Sequence, residues 1–181
     1  MSESIPLPRI CERTVLRQFL DSDLARFQAY RSDPELALFQ DWEQMSDRDA
    51  LSFIQHQRTA EFLVPGHWYQ IAIADRSSGV LIGDIGIRVD PDEQEAEIGF
   101  TMAPAHQKKG LCSESMREVI YLIFEHTRVA SIVGVTDARN RASVNLLKAL
   151  GLEQVKSMDT VFRGEPCTEL IFTALRNRIF P

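Results

Sequence analysis

Apolar side chains alternate with a period of two from Trp68 to Met102, and then the period changes. Beyond Gly110 they fall at Cys112, Met116, Val119, Ile120 and Ile123, the stripe of an amphipathic helix. A chain that runs three strands and then a helix has to pack that helix on a sheet, so the fold class is mixed α/β. The strands read as Trp68–Ala74 (Tyr69, Ile71 and Ile73 on one face), Val80–Val89 (Leu81, Ile85, Ile87 and Val89) and Ala96–Met102. In the last, Ile98, Phe100 and Met102 oppose Glu97, Gly99 and Thr101. Short turns at 76–79 and 90–93 predict an antiparallel meander.

The flanks add to this layout. Residues 9–19 read as a first strand. Asp21-Ser22-Asp23 offers an N-cap to a helix reaching Tyr30. Pro34 opens a short helix over 34–39. Ser46-Asp47-Arg48-Asp49 resembles a capping box, with Asp in place of Glu, before a helix that ends near Phe62. Ser131–Thr136 is β-branched. Asn140–Leu150 places Ser143, Leu146, Leu147 and Leu150 on one helical face, with Gly151 as its stop. Strands near 152–162 and 167–175 surround the turn Arg163-Gly164-Glu165-Pro166. No repeat or linker divides the chain, which predicts one domain over 1–181.

Charge narrows the function classes. Twenty basic and 26 acidic residues give a net charge of −6, which disfavours nucleic acid and anionic membrane as partners. Cys11, Cys112 and Cys167 are odd in number and far apart, so reduced thiols are expected. No CxxC or Cys/His cluster suggests a metal. The N-terminus lacks a signal-peptide pattern and no apolar run reaches membrane length, so a cytoplasmic protein is expected.

Chemistry concentrates in Gln107-Lys108-Lys109-Gly110-Leu111-Cys112-Ser113, between a strand and a helix. Free N–H groups and the positive end of the helix dipole meet there, and Gly110 lets a phosphate approach the main chain. A plain helix start with two solvated lysines is the alternative. The loop is neither a P-loop, since both lysines precede its single glycine, nor a GxGxxG turn.

Glu97-Ile98-Gly99-Phe100 followed by Gln107-x-x-Gly110-x-Cys112 resembles the acetyl-CoA motif of the GNAT N-acetyltransferases. Asn140-Arg141-Ala142-Ser143 through Lys148-Ala149-Leu150-Gly151 is similar to the family's second motif. Glu12-Arg13-Thr14-Val15-Leu16-Arg17 and Phe162-Arg163-Gly164-Glu165 resemble the RimJ/RimL-like branch, which includes acetyltransferases of ribosomal-protein N-termini and others that act on antibiotics, amino acids and other metabolites.

The resemblance implies a mostly antiparallel sheet flanked by helices and splayed at the coenzyme. Phe100, Thr101 and Met102 would then pair with the pantetheine arm. The N–H groups from Lys108 through Lys109, Gly110, Leu111 and Cys112 to Ser113 would hold the pyrophosphate, and Gln107 belongs to the same motif. Asn140 would bind the arm, or would simply cap its helix. The acyl group would pass directly to a primary amine, a protein N-terminus or a small molecule.

Glu97 is the candidate base, or else a solvent-facing or ion-paired glutamate. Asp84 is a second acidic candidate beside the acceptor. The tyrosine that many members place seven residues after the asparagine is Leu147 here, which leaves Ser143 as a hydroxyl for the departing thiolate, or as a small packed residue. Cys112 stands where Gly or Ala is usual, as a tolerated small residue or a redox-sensitive thiol. Of Phe39, Trp42 and Trp68, Trp42 is the best acceptor-pocket candidate. His106 reads as a loop residue. A non-catalytic acyl-CoA-binding module is the alternative function. Leu175–Phe180 offers a patch for a homodimer, or packs on its own sheet.

Overall fold

A computed structural model describes residues 5–179. Among them eight strands form one sheet in the order β1-β2-β3-β4-β5-β6-β8-β7. They are β1 (Arg9–Ile10), β2 (Thr14–Arg17), β3 (Trp68–Asp75), β4 (Leu81–Val89), β5 (Glu95–Met102), β6 (Ser131–Asp137), β7 (Glu153–Phe162) and β8 (Glu165–Leu175). The helices are α1 (Leu24–Arg31), α2 (Pro34–Ala37), α3 (Asp47–Thr59), α4 (Leu111–His126), α5 (Arg141–Ala149) and α6 (Arg176–Ile179). The mixed α/β architecture and the antiparallel meander β3-β4-β5 are as the sequence predicts.

Strand parity sorts the core into two layers. Tyr69, Ile71, Ile85, Ile87 and Ile98 face α4, against Met116, Val119, Ile120 and Ile123. Ala72 lies on the opposite face, under Phe19, Phe27, Tyr30 and Ile54 of the α1–α3 layer. Leu81 departs from expectation. The pairing of β3 with β4 slips between Ile73 and Ala74, and this bulge moves Leu81 to the α1–α3 side.

Two local readings are corrected. The expected strand over 9–19 is a two-stranded turn, β1 and β2, closed by Cys11 N donating to Thr14 O at 2.9 Å. Asp23 does not cap α1. It grips Arg17 through both oxygens, at 2.7 and 2.9 Å, and accepts Leu20 N at 2.8 Å. The apolar tail is divided, with Leu175 exposed and Ile179 packed on the core, while Phe180 lies outside the described residues. Ser46 does cap α3, its Oγ accepting from Asp49 N at 3.2 Å.

The pairing of β5 with β6 positions the site. These two strands run parallel and pair only at Glu95, Ala96 and Glu97 with Ser131, Ile132 and Val133. Beyond that β6 stays on β8 as far as Asp137, so a wedge opens between β5 and β6. α5 lies close over β6 because Gly134 lacks a side chain: a Cβ there would stand 2.6 Å from Leu147 Cδ2.

Asp84 lies in the middle of β4 and is 2% exposed. Tyr30 donates to its Oδ2 at 2.5 Å and Arg31 to its Oδ1 at 2.8 Å. Desolvation, and then the Asp84 charge, push the Tyr30 phenol well above its usual range, so Tyr30 remains the proton donor. Removing one member of a buried ion pair strands the other. Asp84→Ala is therefore expected to destabilise the protein by about 3–5 kcal/mol, read as a fall in the urea midpoint with unchanged slope.

Candidate active site

A cavity of about 760 Å³ fills the wedge. Its walls are Ile98–Met102 of β5, Gly134–Thr136 of β6, the turn into α4, the first turn of α5, and residues 33–40 from the other side of the sheet.

The β5 wall follows from strand alternation. Ala103 N donates to Ile82 O of the β4 arm at 2.8 Å, so odd-numbered residues of β5 turn their main chain toward β4. Ile98, Phe100 and Met102 turn theirs into the wedge. Two of these carbonyls have side-chain partners: Gln40 Nε2 reaches Phe100 O at 3.4 Å and Gln107 Nε2 reaches Met102 O at 3.0 Å. Thr101 departs from expectation, because its parity points its amide and carbonyl at β4, and only its side chain meets the cavity. Gln107 holds the loop to the end of β5.

The α4 turn is shaped for an anion. Lys108 has φ 58° and Gly110 φ 76°, two left-handed residues that gather successive N–H groups into a concave nest. Leu111, Cys112 and Ser113 open the helix, where N–H groups have no intrahelical acceptor. Lys108 lines the cavity. Lys109 does not; its Nζ donates to Ala105 O at 2.7 Å and its carbonyl accepts Arg13 Nη1 at 2.8 Å.

The turn is bolted to the β1–β2 corner by Glu114, which accepts from Arg13 N at 2.8 Å, Arg13 Nε at 2.9 Å and Thr14 N at 3.1 Å. Desolvation opposes ionisation of this carboxylate, yet the hydrogen bonds from Arg13 and Thr14 hold its pKa below the usual value. Cys112 lines the cavity, and burial, with a smaller contribution from the Asp84 charge, pushes its thiol up to about 12. It is a neutral thiol, unsuited to nucleophilic chemistry. The three cysteines are free.

At α5, Asn140 Oδ1 accepts from Ser143 N at 3.2 Å, so Asn140 caps the helix while lining the cavity. Ser143 lines it too, and its hydroxyl has no hydrogen-bond partner among the described residues. Leu147 is buried against Gly134.

The acidic and aromatic candidates are placed differently. Glu97 is on the face of β5 opposite α4, two residues from Gly99, where a Cβ would meet open space. Its Oε2 accepts from Arg88 Nη2 at 2.6 Å, and Arg88 rests on the Trp68 ring at 5.4 Å. Glu97 is thus ion-paired at the closed end of the wedge, and the cavity wall begins at Ile98. Asp84 does not reach the cavity, because Tyr30 and Arg31 consume it. Trp42 lines a second cavity of about 330 Å³ with Arg31 and Arg163, its ring 3.9 Å from the Arg31 guanidinium. Phe39 and His106 line the main cavity instead.

Sequence reasoning missed Asp33, Glu35, Leu36, Gln40 and Arg141, all in the cavity wall. Asp33 carried a readable signal as the cap before Pro34, and it does accept Glu35 N at 2.9 Å, while Arg141 lies inside the Asn140–Ser143 motif. Among the described residues no helix is long and apolar enough to cross a membrane, and no group of three or more His, Cys, Asp or Glu could hold a metal.

Comparison with known proteins gives matching findings. The acetyltransferase (GNAT) domain profile matches residues 13–153. An uncharacterized N-acetyltransferase of Bacillus subtilis strain 168, YoaA, is 30% identical over 145 residues, covering 79% of this chain and 81% of that protein. A GNAT-family acetyltransferase from Bacillus anthracis superposes with a TM-score of 0.83 at 18% identity, over 94% of this chain and 99% of that one. The spermidine N-acetyltransferase of Vibrio cholerae, solved with CoA and spermine, superposes with a TM-score of 0.79 at 16% identity, over 93% and 99%.

Two measurements check this geometry. Glu114 adds stability that is complete above its unfolded pKa of 4.5 and is lost as pH falls through its lower folded value. Glu114→Gln should therefore flatten the acid limb of stability in denaturant titrations run from pH 7 to pH 3. Cys112 should react with a disulfide reagent at pH 7.5 far more slowly than an unfolded-chain cysteine. Fast labelling mapped to Cys112 would show that the thiol is not held neutral.

Proposed function

Because the chain belongs to the GNAT acetyltransferase family, we propose that it is a single-domain N-acetyltransferase, of the RimJ/RimL-like branch, carrying an acetyl group from acetyl-CoA to a primary amine. One observation carries the reading. A wedge with unpaired strand edges, a nest at the mouth of α4 and the capped start of α5 all open into the same cavity.

Each wall has a task. The N–H groups at Leu111, Cys112 and Ser113, with Lys108 beside them, suit the coenzyme pyrophosphate. The wedge-facing main chain of Ile98, Phe100 and Met102 accepts the pantetheine amides as it would an added strand, and Asn140 supplies a side-chain amide from the other wall. The acetyl thioester is the acyl donor.

The amine nitrogen attacks its carbonyl carbon, the C–N bond forms and the C–S bond breaks. The attacking nitrogen must first give up a proton. Glu97 takes it through water, using the carboxylate oxygen that Arg88 leaves free. Arg88 holds that carboxylate in place. The surplus proton that the nitrogen carries after attack passes to the departing thiolate, which meets the Ser143 hydroxyl and the positive end of α5. The acceptor is a peptide N-terminus or a small amine. Support for the branch comes from Glu12–Arg17 and Phe162–Glu165, and the spermidine enzyme shows only that the same fold accommodates a small polyamine.

Release of the coenzyme thiol from acetyl-CoA with pooled amines tests the reading. Glu97→Gln should lower kcat by about 10²–10⁴. Ser143→Ala should lower kcat about 10- to 100-fold, the value of a hydrogen bond to a charged group. Both should bind acetyl-CoA as the wild type does. Full turnover in Glu97→Gln would transfer the base role elsewhere. Coenzyme binding with no turnover on any amine would make the protein an acyl-CoA-binding module.

A further inference from the structure

The wedge is open through the sheet. α4 and α5 occupy one side, and on the other the chain between α2 and α3 crosses the opening. Its contacts fix it to both banks. On the β5 bank, Gln40 Nε2 reaches Phe100 O at 3.4 Å. On the β6 bank, the Phe39 ring lies 5.9 Å from the guanidinium of Arg139, just beyond the end of β6. From the β7–β8 turn, Arg163 Nη2 donates to Gln40 O at 3.0 Å and Trp42 O at 2.5 Å. The far end of the segment is stacked on Arg31, with Trp42 Nε1 donating to Arg31 O at 3.3 Å. Arg31 in turn is tied to Asp84 of β4.

The β7–β8 turn is built to present Arg163. Arg163 and Gly164 have φ 51° and 82°, the two left-handed residues of a tight hairpin turn. A side chain at positive φ costs roughly 1 kcal/mol, and two charge-assisted hydrogen bonds offset it.

We infer that residues 39–42 form a bar across the acceptor entrance, that Arg163 is the specificity-determining residue that fixes it, and that the acceptor is therefore a small free amine rather than the N-terminus of a protein. This rests on the transferase reading above. A peptide terminus enters as an extended chain and needs free main-chain partners along its path. Here the Gln40 and Trp42 carbonyls are already engaged by Arg163, and the bar occupies the path. A small amine needs only the opening beside it.

The test compares acetyl transfer to two pools, one of amino acids, polyamines and aminoglycosides, the other of unstructured peptides with free N-termini, by wild type, Arg163→Ala and Arg163→Lys. The wild type is expected to use the small amines. Arg163→Ala should raise the amine KM with little change in the acetyl-CoA KM, and improve peptide kcat/KM by about tenfold, the scale of losing one charged hydrogen bond. Arg163→Lys, whose ammonium stops one bond short of the Nη2 position that reaches both carbonyls, should behave like the alanine variant. Amide exchange across 38–43 should quicken in both.

Efficient peptide acetylation by the wild type would overturn the acceptor inference alone. So would unchanged exchange and an unchanged acceptor ratio in Arg163→Ala. Silence with both pools, in a protein that binds acetyl-CoA, would overturn the transferase reading and the acceptor inference together.

Discussion

Two parallel strands that pair for three residues and then part set the terms for everything else. A continued β5–β6 ladder would satisfy every main-chain group and leave a closed sheet. Parting leaves Ile98, Phe100 and Met102 with unpaired groups, and buried polar groups without partners are costly. The wedge is tolerable because something fills it: Gln40 and Gln107 at two carbonyls, and the pantetheine arm under the proposed function. The helices serve this opening. Gly134 lets α5 come close enough to place Asn140 and Ser143 at one wall, and Glu114 pins the α4 nest at the other.

Charge placement follows a similar division. Near the coenzyme loop, Lys108 and Arg141 stand in the wall; on the opposite side Asp33 and Glu35 do. The most buried charged pair, Arg31 with Asp84, takes no part in either. It costs desolvation, and its return is connection. Asp84 belongs to the sheet, Arg31 to α1, and the Trp42 ring lies 3.9 Å from the guanidinium, a contact worth roughly 0.5–2 kcal/mol. The ion pair therefore holds the segment over the wedge to the middle of the meander.

Local pattern and local chemistry were legible in the sequence, and long-range pairing was not. The period change at Gly110, the capping serine at Ser46 and the left-handed glycine before α4 all have short-range causes, and all lie where the residues place them. The α/β class and the GNAT family followed from motifs that are contiguous in the chain. The errors came from partners far apart in sequence. Asp84 looked available because Tyr30 and Arg31, more than 50 residues earlier, could not be seen to claim it. Leu81 was assigned to the wrong face because a bulge leaves no mark in an apolar alternation. Thr101 was grouped with its neighbours although strand parity, once β4 is known to be its partner, separates them.

That parity has a bearing on how such a chain can change over time. In β5, alternate residues serve two masters: the odd set ties the strand to β4 and the even set faces the wedge. Insertion of a single residue into this strand would leave its composition and apolar content almost intact, and the sheet could re-form one position out of step. The edge offered to the wedge would then belong to the wrong set of residues, and Glu97 would move to the helix face. Lineages descending from this chain must keep the reading frame of eight residues in β5.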